Sequence, residues 1–271
     1  MERLFVIKIG GNVIDNPTGL SSFLDDFASI RERKILVHGG GKVATRIGEQ
    51  LGIKPQYHNG RRITDAETID LVTMVYGGLL NKKLVAALQK RSCQALGMTG
   101  ADGNLISAVR RPVKEVDFGF VGDITPADVN VSLLASLLDN QVVPIVAPLT
   151  HSEGEILNTN ADTIAAALAI ASGTRYDVRL IYCFEKKGVL LDVNDDSTVI
   201  TRLSEQRYQE LLTQHALADG ILPKLENAFS SIHQGVREVL IGHADDLIRN
   251  TSYNTTGTLI TGDELGQVET E

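Results

Sequence analysis

Cysteine is scarce: the 271 residues hold only Cys93 and Cys183, far apart and without metal-ligand neighbours. That excludes a disulfide framework and a cysteine-built metal centre, and predicts two buried thiols in a reducing compartment. Positive charge is also in deficit. Lys and Arg number 26 against 34 Asp and Glu, a net charge of −8 that argues against a large basic surface for nucleic acid. Near the start, the apolar run in "MERLFVIKIGG" is broken by Lys8 and is too short for a signal peptide or a membrane span. No membrane association and a cytoplasmic location are expected. Low-complexity tracts and internal repeats are missing as well. What remains is ordinary globular composition, 43% hydrophobic and 22% charged. The chain is long enough for one large α/β domain or two lobes sharing a sheet.

Hydrophobic patterning alternates between strands and helices. Residues 4–9 and 35–37 read as buried strands. Helical spacing relates Leu20, Phe23, Leu24, Phe27 and Ile30, and a second helix covers residues 43–51. Asn59-Gly60 marks a hairpin turn, and Asp65 caps a long helix over residues 66–94. Short glycine-punctuated strands follow, then a helix at 126–138, a strand at 141–149 and an Ala-rich helix from "NTNAD". The second half repeats the alternation, with strands at 178–184, 238–242 and 257–261 and helices at 204–214 and 223–234. This order predicts a mostly parallel sheet covered on both faces. The division falls near residues 172–177, giving lobes of residues 1–172 and 173–271.

The segment "ILVHGGGKVATRIG", residues 35–48, places three glycines between a strand and a helix. Backbone without Cβ atoms lets a ligand approach closely, and a helix start offers unpaired N–H groups to an anion. The G-x-x-x-x-G-K-[ST] loop is excluded, because Val43 follows Lys42 and Leu36 replaces the first glycine. Gly39, Gly41 and Ala44 satisfy the dinucleotide pattern, but they follow the second apolar run and lack the later acidic residue. A ligand-free β-to-α turn is the plain alternative. Gly10-Gly11 follows the first strand in the same way, however. Ligands of such sheets bind beyond the strands' carboxyl ends, so two glycine loops on one rim predict a phosphate site for a long polyanion.

"IKIGGN" (7–12), "VHGGG" (37–41), "NGRRITD" (59–65), "NTNAD" (158–162) and "DGILPK" (219–224) stand in an order and spacing that resembles the N-acetylglutamate kinases. These belong to the amino-acid kinase family, and the resemblance runs from Leu4 to Thr261. It implies an open αβα sandwich whose first lobe binds N-acetyl-L-glutamate and whose second binds ATP with Mg²⁺. The reaction implied is phosphorylation of the γ-carboxylate, within arginine biosynthesis. A γ-carboxylate, with an unperturbed pKa of about 4.3, is ionised at neutral pH and needs no general base. It needs neutralisation, because it must approach an anionic phosphoryl group in line.

By this resemblance Lys8 contacts the transferring phosphoryl group, Lys224 holds ATP phosphates and stabilises the transition state, and Asp162 orients both lysines. Gly10, Gly11, Gly40 and Gly41 give backbone N–H donors to phosphoryl oxygens. Arg62 and Asn158 hold the substrate's α-carboxylate and neighbouring polar groups, with Asn160 in support. Mg²⁺ is expected on ATP oxygens and water, with no protein ligand. Each residue also has a plainer reading. Lys8 blunts a strand edge, Lys224 is helix surface, Asp162 and Asn160 are helix caps, Arg62 is a solvated hairpin charge and His38 is structural.

The chain departs from the family pattern twice. Thr/Ser-Asp usually precedes the x-x-G-V-L turn beside the nucleotide, whereas here Phe184-Glu185 leads to Gly188; the resemblance implies that Glu185 and Gly188 bind ATP with altered adenosine contacts. Arg61 stands beside Arg62, where an extra cation suits a carboxylate-bearing acyl group such as N-succinyl; an exposed hairpin arginine is the alternative. Surplus apolar residues on the long helix, Leu71, Met74, Val75, Leu79 and Leu80, predict a homodimer. Arginine-inhibited relatives carry an extra helix ahead of the first strand, whereas three residues precede Leu4 here, so insensitivity to arginine is expected. The rival readings are another kinase of the family, a kinase-like sensor and a nicotinamide-dependent oxidoreductase.

Overall fold

The computed structural model describes residues 1–214, 216–217 and 221–262. Asp219 and Gly220 of the "DGILPK" motif lie outside the described residues. In chain order the strands are β1 (Arg3–Ile9), β2 (Arg33–His38), β3 (Gln56–His58), β4 (Arg61–Ile63), β5 (Ala95–Met98), β6 (Val109–Arg110), β7 (Gly122–Asp123), β8 (Val143–Val146), β9 (Leu149–Ser152), β10 (Glu155–Asn158), β11 (Asp177–Phe184), β12 (Arg202–Ser204), β13 (Glu238–His243) and β14 (Thr258–Thr261). The α-helices are α1 (Gly11–Ile14), α2 (Pro17–Ser29), α3 (Gly41–Gln50), α4 (Ala66–Val72), α5 (Asn81–Gln89), α6 (Val131–Asp139), α7 (Ala161–Ser172), α8 (Glu205–Thr213), α9 (Leu222–His233) and α10 (Leu247–Thr251).

Eight strands form one sheet in the order β12-β14-β13-β11-β1-β2-β8-β5. All neighbours run parallel except β13 and β14. Such strands are buried on both faces, which explains the near-continuous apolar runs of β1 and β11. Alternation then sorts β1 between two helix layers. Leu4 and Val6 pack with Ile164 and Leu168 of α7, whereas Phe5, Ile7 and Ile9 pack with Phe23 and Phe27 of α2 and with Leu84 and Leu88 of α5. Burying each such side chain contributes about 1.5–3 kcal/mol. The result is the mostly parallel, doubly covered sheet expected from the alternation of elements, and the αβα sandwich implied by the family resemblance. It also assigns Lys8 to the face that carries α7. The two free cysteines are buried.

Several expected elements differ in detail. The long helix ends at Gln89, and a π-helical stretch, Thr73–Leu80, separates α4 from α5. Gly77-Gly78 sits in the middle of that stretch, where a wide turn meets least resistance. By length and composition alone Ala66–Gln89 is apolar enough to cross a membrane. Here it packs as a core element, with Val72, Val75, Tyr76 and Leu80 against Val43 and Ala44 of α3 and Leu149 of β9. Leu71, Val75 and Leu80 are therefore buried, leaving Met74 and Leu79 exposed at 58% and 38%. The strand expected at 141–149 splits into β8 and β9 around Pro148, which has no N–H to give a ladder. The helix expected from Pro126 is a short 3₁₀ turn followed by α6, whose start is capped by the Asn130 side chain.

Candidate active site

At the carboxyl ends of β1 and β2 the chain turns directly into α1 and α3. Gly39 N–H donates to Ile9 C=O at 3.0 Å and ties the two glycine loops together. Gly40 is dictated by space: a Cβ there would sit 2.5 Å from Leu80 Cδ1 and 2.9 Å from the Tyr76 ring. Gly41 is open, with nothing within 4 Å of the point a Cβ would occupy. His38 anchors the loop from below. Its Nδ1 lies 2.8 Å from Gly39 O and its Nε2 3.2 Å from Asn81 Nδ2, so Nδ1 donates and Nε2 accepts. Asn81 in turn donates to Ile145 C=O at 2.8 Å. Complete burial lowers the His38 pKa from 6.5 to about 4, which keeps the ring neutral. The structural reading of His38 fits these contacts.

Lys8 leaves β1 beside this rim. It is buried, and its Nζ pairs with Asp162 Oδ1 at 2.8 Å. Asp162 stands in the first turn of α7, which begins where Asn160 Oδ1 accepts from Asp162 N–H and Thr163 N–H at 2.8 and 3.1 Å. Asn160 is thus the cap of α7, and through that cap it sets the place of Asp162. Lys224, in the first turn of α9, brings its Nζ to 3.7 Å from the centroid of the Phe184 ring. Burial lowers the Lys224 pKa; Asp162 and Glu185 oppose the shift and Lys8 adds to it. Lys8 Nζ also lies over the Phe184 ring, at 5.4 Å. The structure therefore gathers Lys8, Asp162 and Lys224 from three distant chain segments.

A cavity of about 280 Å³ opens at the two glycine loops, lined by Gly10, Gly11, Asn12, Gly41, Lys42, Phe184 and Glu185 among others. Lys42 and Asn12 side chains meet at its edge. Glu185 is exposed there, whereas Gly188 packs away from the cavity, where a Cβ would be 2.5 Å from Thr258 Oγ1.

On the other side of Gly41 stands the hairpin β3–β4. Arg62 Nη2 donates to Gly41 C=O at 3.1 Å, to Thr45 Oγ1 at 2.8 Å and to the Tyr57 hydroxyl at 2.7 Å. Its guanidinium also lies 4.9 Å from the Tyr57 ring centroid. Asn158 Nδ2 donates to Thr64 Oγ1 at 3.0 Å, which brings β10 to the same side. Arg61 pairs across the hairpin with His58, while Arg62 pairs with Tyr57. Alternation puts these pairs on opposite faces, and Arg61 lines a separate groove with His58, Arg111 and Lys114. Arg61 is therefore turned away from Arg62, in keeping with the exposed hairpin arginine.

Sequence reasoning overlooked Tyr57, Thr45, Lys42 and Asn12. Tyr57 was within reach: a two-residue turn at Asn59-Gly60 already fixes the pairs 58 with 61 and 57 with 62. The assembled site offers cations, backbone N–H groups and an arginine fork, which is equipment for stabilising transferred negative charge.

The amino acid kinase family matches residues 3–243 of the chain. The acetylglutamate kinase of Cytophaga hutchinsonii is 51% identical over 258 residues, spanning 94% of this chain and 97% of that protein. The acetylglutamate kinase of Bacteroides thetaiotaomicron is 54% identical over 241 residues, spanning 89% and 93%. The carbamate kinase of Giardia lamblia bound to AMP-PNP has a TM-score of 0.70 over 97% of this chain and 99% of that one, at 13% identity, a likeness of fold.

Proposed function

The chain belongs to the amino acid kinase family, and we propose that it transfers the γ-phosphoryl group of ATP to the γ-carboxylate of N-acetyl-L-glutamate, in arginine biosynthesis. The observation that carries this reading is the 2.8 Å pair of Lys8 with Asp162 at the glycine rim, with Lys224 over the same aromatic ring. The names of the two bacterial relatives support the acceptor, and the AMP-PNP bound to the Giardia carbamate kinase supports the nucleotide.

In this reading residues 1–172 bind the acylglutamate and residues 173–271 bind ATP. Arg62 takes the α-carboxylate in its planar fork, and Asn158 holds a neighbouring polar group. The γ-carboxylate is the nucleophile and arrives already ionised. Lys8 and Lys224 lower the repulsion between it and the phosphoryl group, while N–H groups of Gly10, Gly11, Gly40 and Gly41 receive the charge that develops on phosphoryl oxygens. Asp162 holds Lys8 on the line of transfer, and Glu185 borders the nucleotide. Mg²⁺ accompanies ATP and neutralises phosphate charge. The ion would be held by nucleotide oxygens and water.

Met74 and Leu79 on the Ala66–Gln89 run support a homodimer through this helix, read as a dimeric mass in light scattering. ADP release measured against N-acetylglutamate, N-succinylglutamate, glutamate, aspartate and carbamate tests the substrate assignment. Highest kcat/KM with N-acetylglutamate is expected; preference for any other acceptor would overturn it.

A further inference from the structure

We propose that Phe184 is a positioning residue whose ring face holds the ammonium groups of Lys8 and Lys224 for phosphoryl transfer without neutralising them. This rests on the reading that both lysines meet the transferring phosphoryl group. Strand register supplies the placement. Lys8 pairs with Tyr182 across β1 and β11, and Phe184, two residues on, shares its face at the end of β11. The ring is held by stacking on Tyr182, with centroids 6.1 Å apart and planes 15° apart. The Tyr182 hydroxyl donates to the Asp162 backbone carbonyl at 3.4 Å, so the stack is tied to the helix that carries the lysines' counter-charge.

Both ammoniums lie within cation–π range of the ring, at 3.7 Å for Lys224 and 5.4 Å for Lys8. Lys8 has Asp162 as a partner. Among the described residues Lys224 Nζ makes no hydrogen bond or ion pair, and the ring face is its close partner. A half-buried ammonium loses hydration, in keeping with the lowered Lys224 pKa, and an aliphatic neighbour would return nothing for it. A carboxylate at 184 would form a second ion pair that each phosphate oxygen must break. An aromatic face attracts the cation through its quadrupole yet occupies little of its donor capacity, leaving N–H groups for phosphoryl oxygens.

The test replaces Phe184 with 4-fluoro-, 3,5-difluoro- and 3,4,5-trifluorophenylalanine in the full chain, which weakens the quadrupole in steps while nearly conserving shape. Phe184→Tyr and Phe184→Leu accompany the series. With ATP and N-acetyl-L-glutamate, kcat should fall stepwise with fluorination, reaching about tenfold, or about 1.4 kcal/mol. The acyl acceptor KM should stay at the wild-type value, Phe184→Tyr should retain activity, and Phe184→Leu should lose at least as much as the trifluoro ring. If the leucine variant does not fold, the fluorinated series still decides. A flat kcat across that series with active wild type would overturn the role of Phe184 and leave the kinase reading intact. A lower ATP KM at constant kcat would overturn it too, because the ring would then only compete with nucleotide. Wild type inactive on every acylglutamate would instead remove the kinase reading.

Discussion

Substituting Gly40→Ala adds one methyl group where the structure has no room for it. The new Cβ would stand 2.5 Å from Leu80 Cδ1 and 2.9 and 3.0 Å from two Tyr76 ring carbons. Unstrained carbon contacts lie at about 3.5–4.0 Å, so Leu80 must retreat by about 1 Å and the Tyr76 ring by somewhat less. The Leu80 methyl ends a flexible side chain, but Tyr76 is 5% exposed and wedged beside Arg62. Part of the displacement must therefore be taken up by the glycine loop or the π-helical stretch. Overpacking of this kind costs about 1–3 kcal/mol. At about 2–4 °C per kcal/mol for a chain of this size, Tm falls by about 2–12 °C. A loop misplaced by about 1 Å costs transfer on the order of 100-fold. Differential scanning fluorimetry and the ADP-release assay read the two effects. Gly41→Ala is the control, since nothing lies within 4 Å of its Cβ position. Equal behaviour of the two variants, or wild-type Tm and kcat in Gly40→Ala, would refute the steric argument.

Lys8→Met should lower kcat by about 10²–10³-fold, the usual loss for one group that stabilises transition-state charge. Its Tm should fall as well, because Asp162 Oδ1 is buried and loses its ion-pair partner; unchanged kcat in the folded variant would reduce Lys8 to a structural ion pair. Arg62→Lys should raise the acylglutamate KM more than the ATP KM, since an ammonium cannot reproduce the planar fork. Equal changes in both KM values would count against a substrate role. His38 predicts an acid-labile core. Its folded-state pKa lies below its unfolded value, so its contribution is complete above pH 6.5 and is lost as pH falls toward about 4. The loss over that window is on the order of 3 kcal/mol. Urea unfolding at pH 7 and 4.5 should show a shallower decline in His38→Gln than in wild type, and identical slopes would sink the assignment.

Much of the rim was legible because glycine leaves few alternatives. Gly40 has a single steric reason, and its neighbours Leu80 and Tyr76 come from a helix whose apolar pattern was plain. Lys8 stood out as a charge in an apolar strand, and period-2 alternation places it on the α7 face. Its partner Asp162 is distant in sequence, and only the β1–β11 register with α7 packed over it brings the two together. The π-helical stretch was not legible, since apolar spacing over residues 66–89 fits ordinary helical turns as well. Gly188 looked like a nucleotide-loop glycine because its contact with Thr258 joins segments 70 residues apart. Phe184 read as a departure from pattern; its role depends on two lysines that no local spacing connects to it. Asn160 shows one residue serving fold and site together, since the cap that starts α7 also places Asp162.

The central claim, phosphoryl transfer to a carboxylate, is tested most directly by trapping the product. Hydroxylamine attacks an acyl phosphate at its carbonyl carbon, expelling phosphate and leaving a hydroxamate. Incubating the protein with ATP, Mg²⁺, N-acetyl-L-glutamate and hydroxylamine should yield the γ-hydroxamate in step with ADP, with neither formed when the acylglutamate is omitted. ADP released without hydroxamate would contradict the account, because the phosphoryl group would then have gone to water.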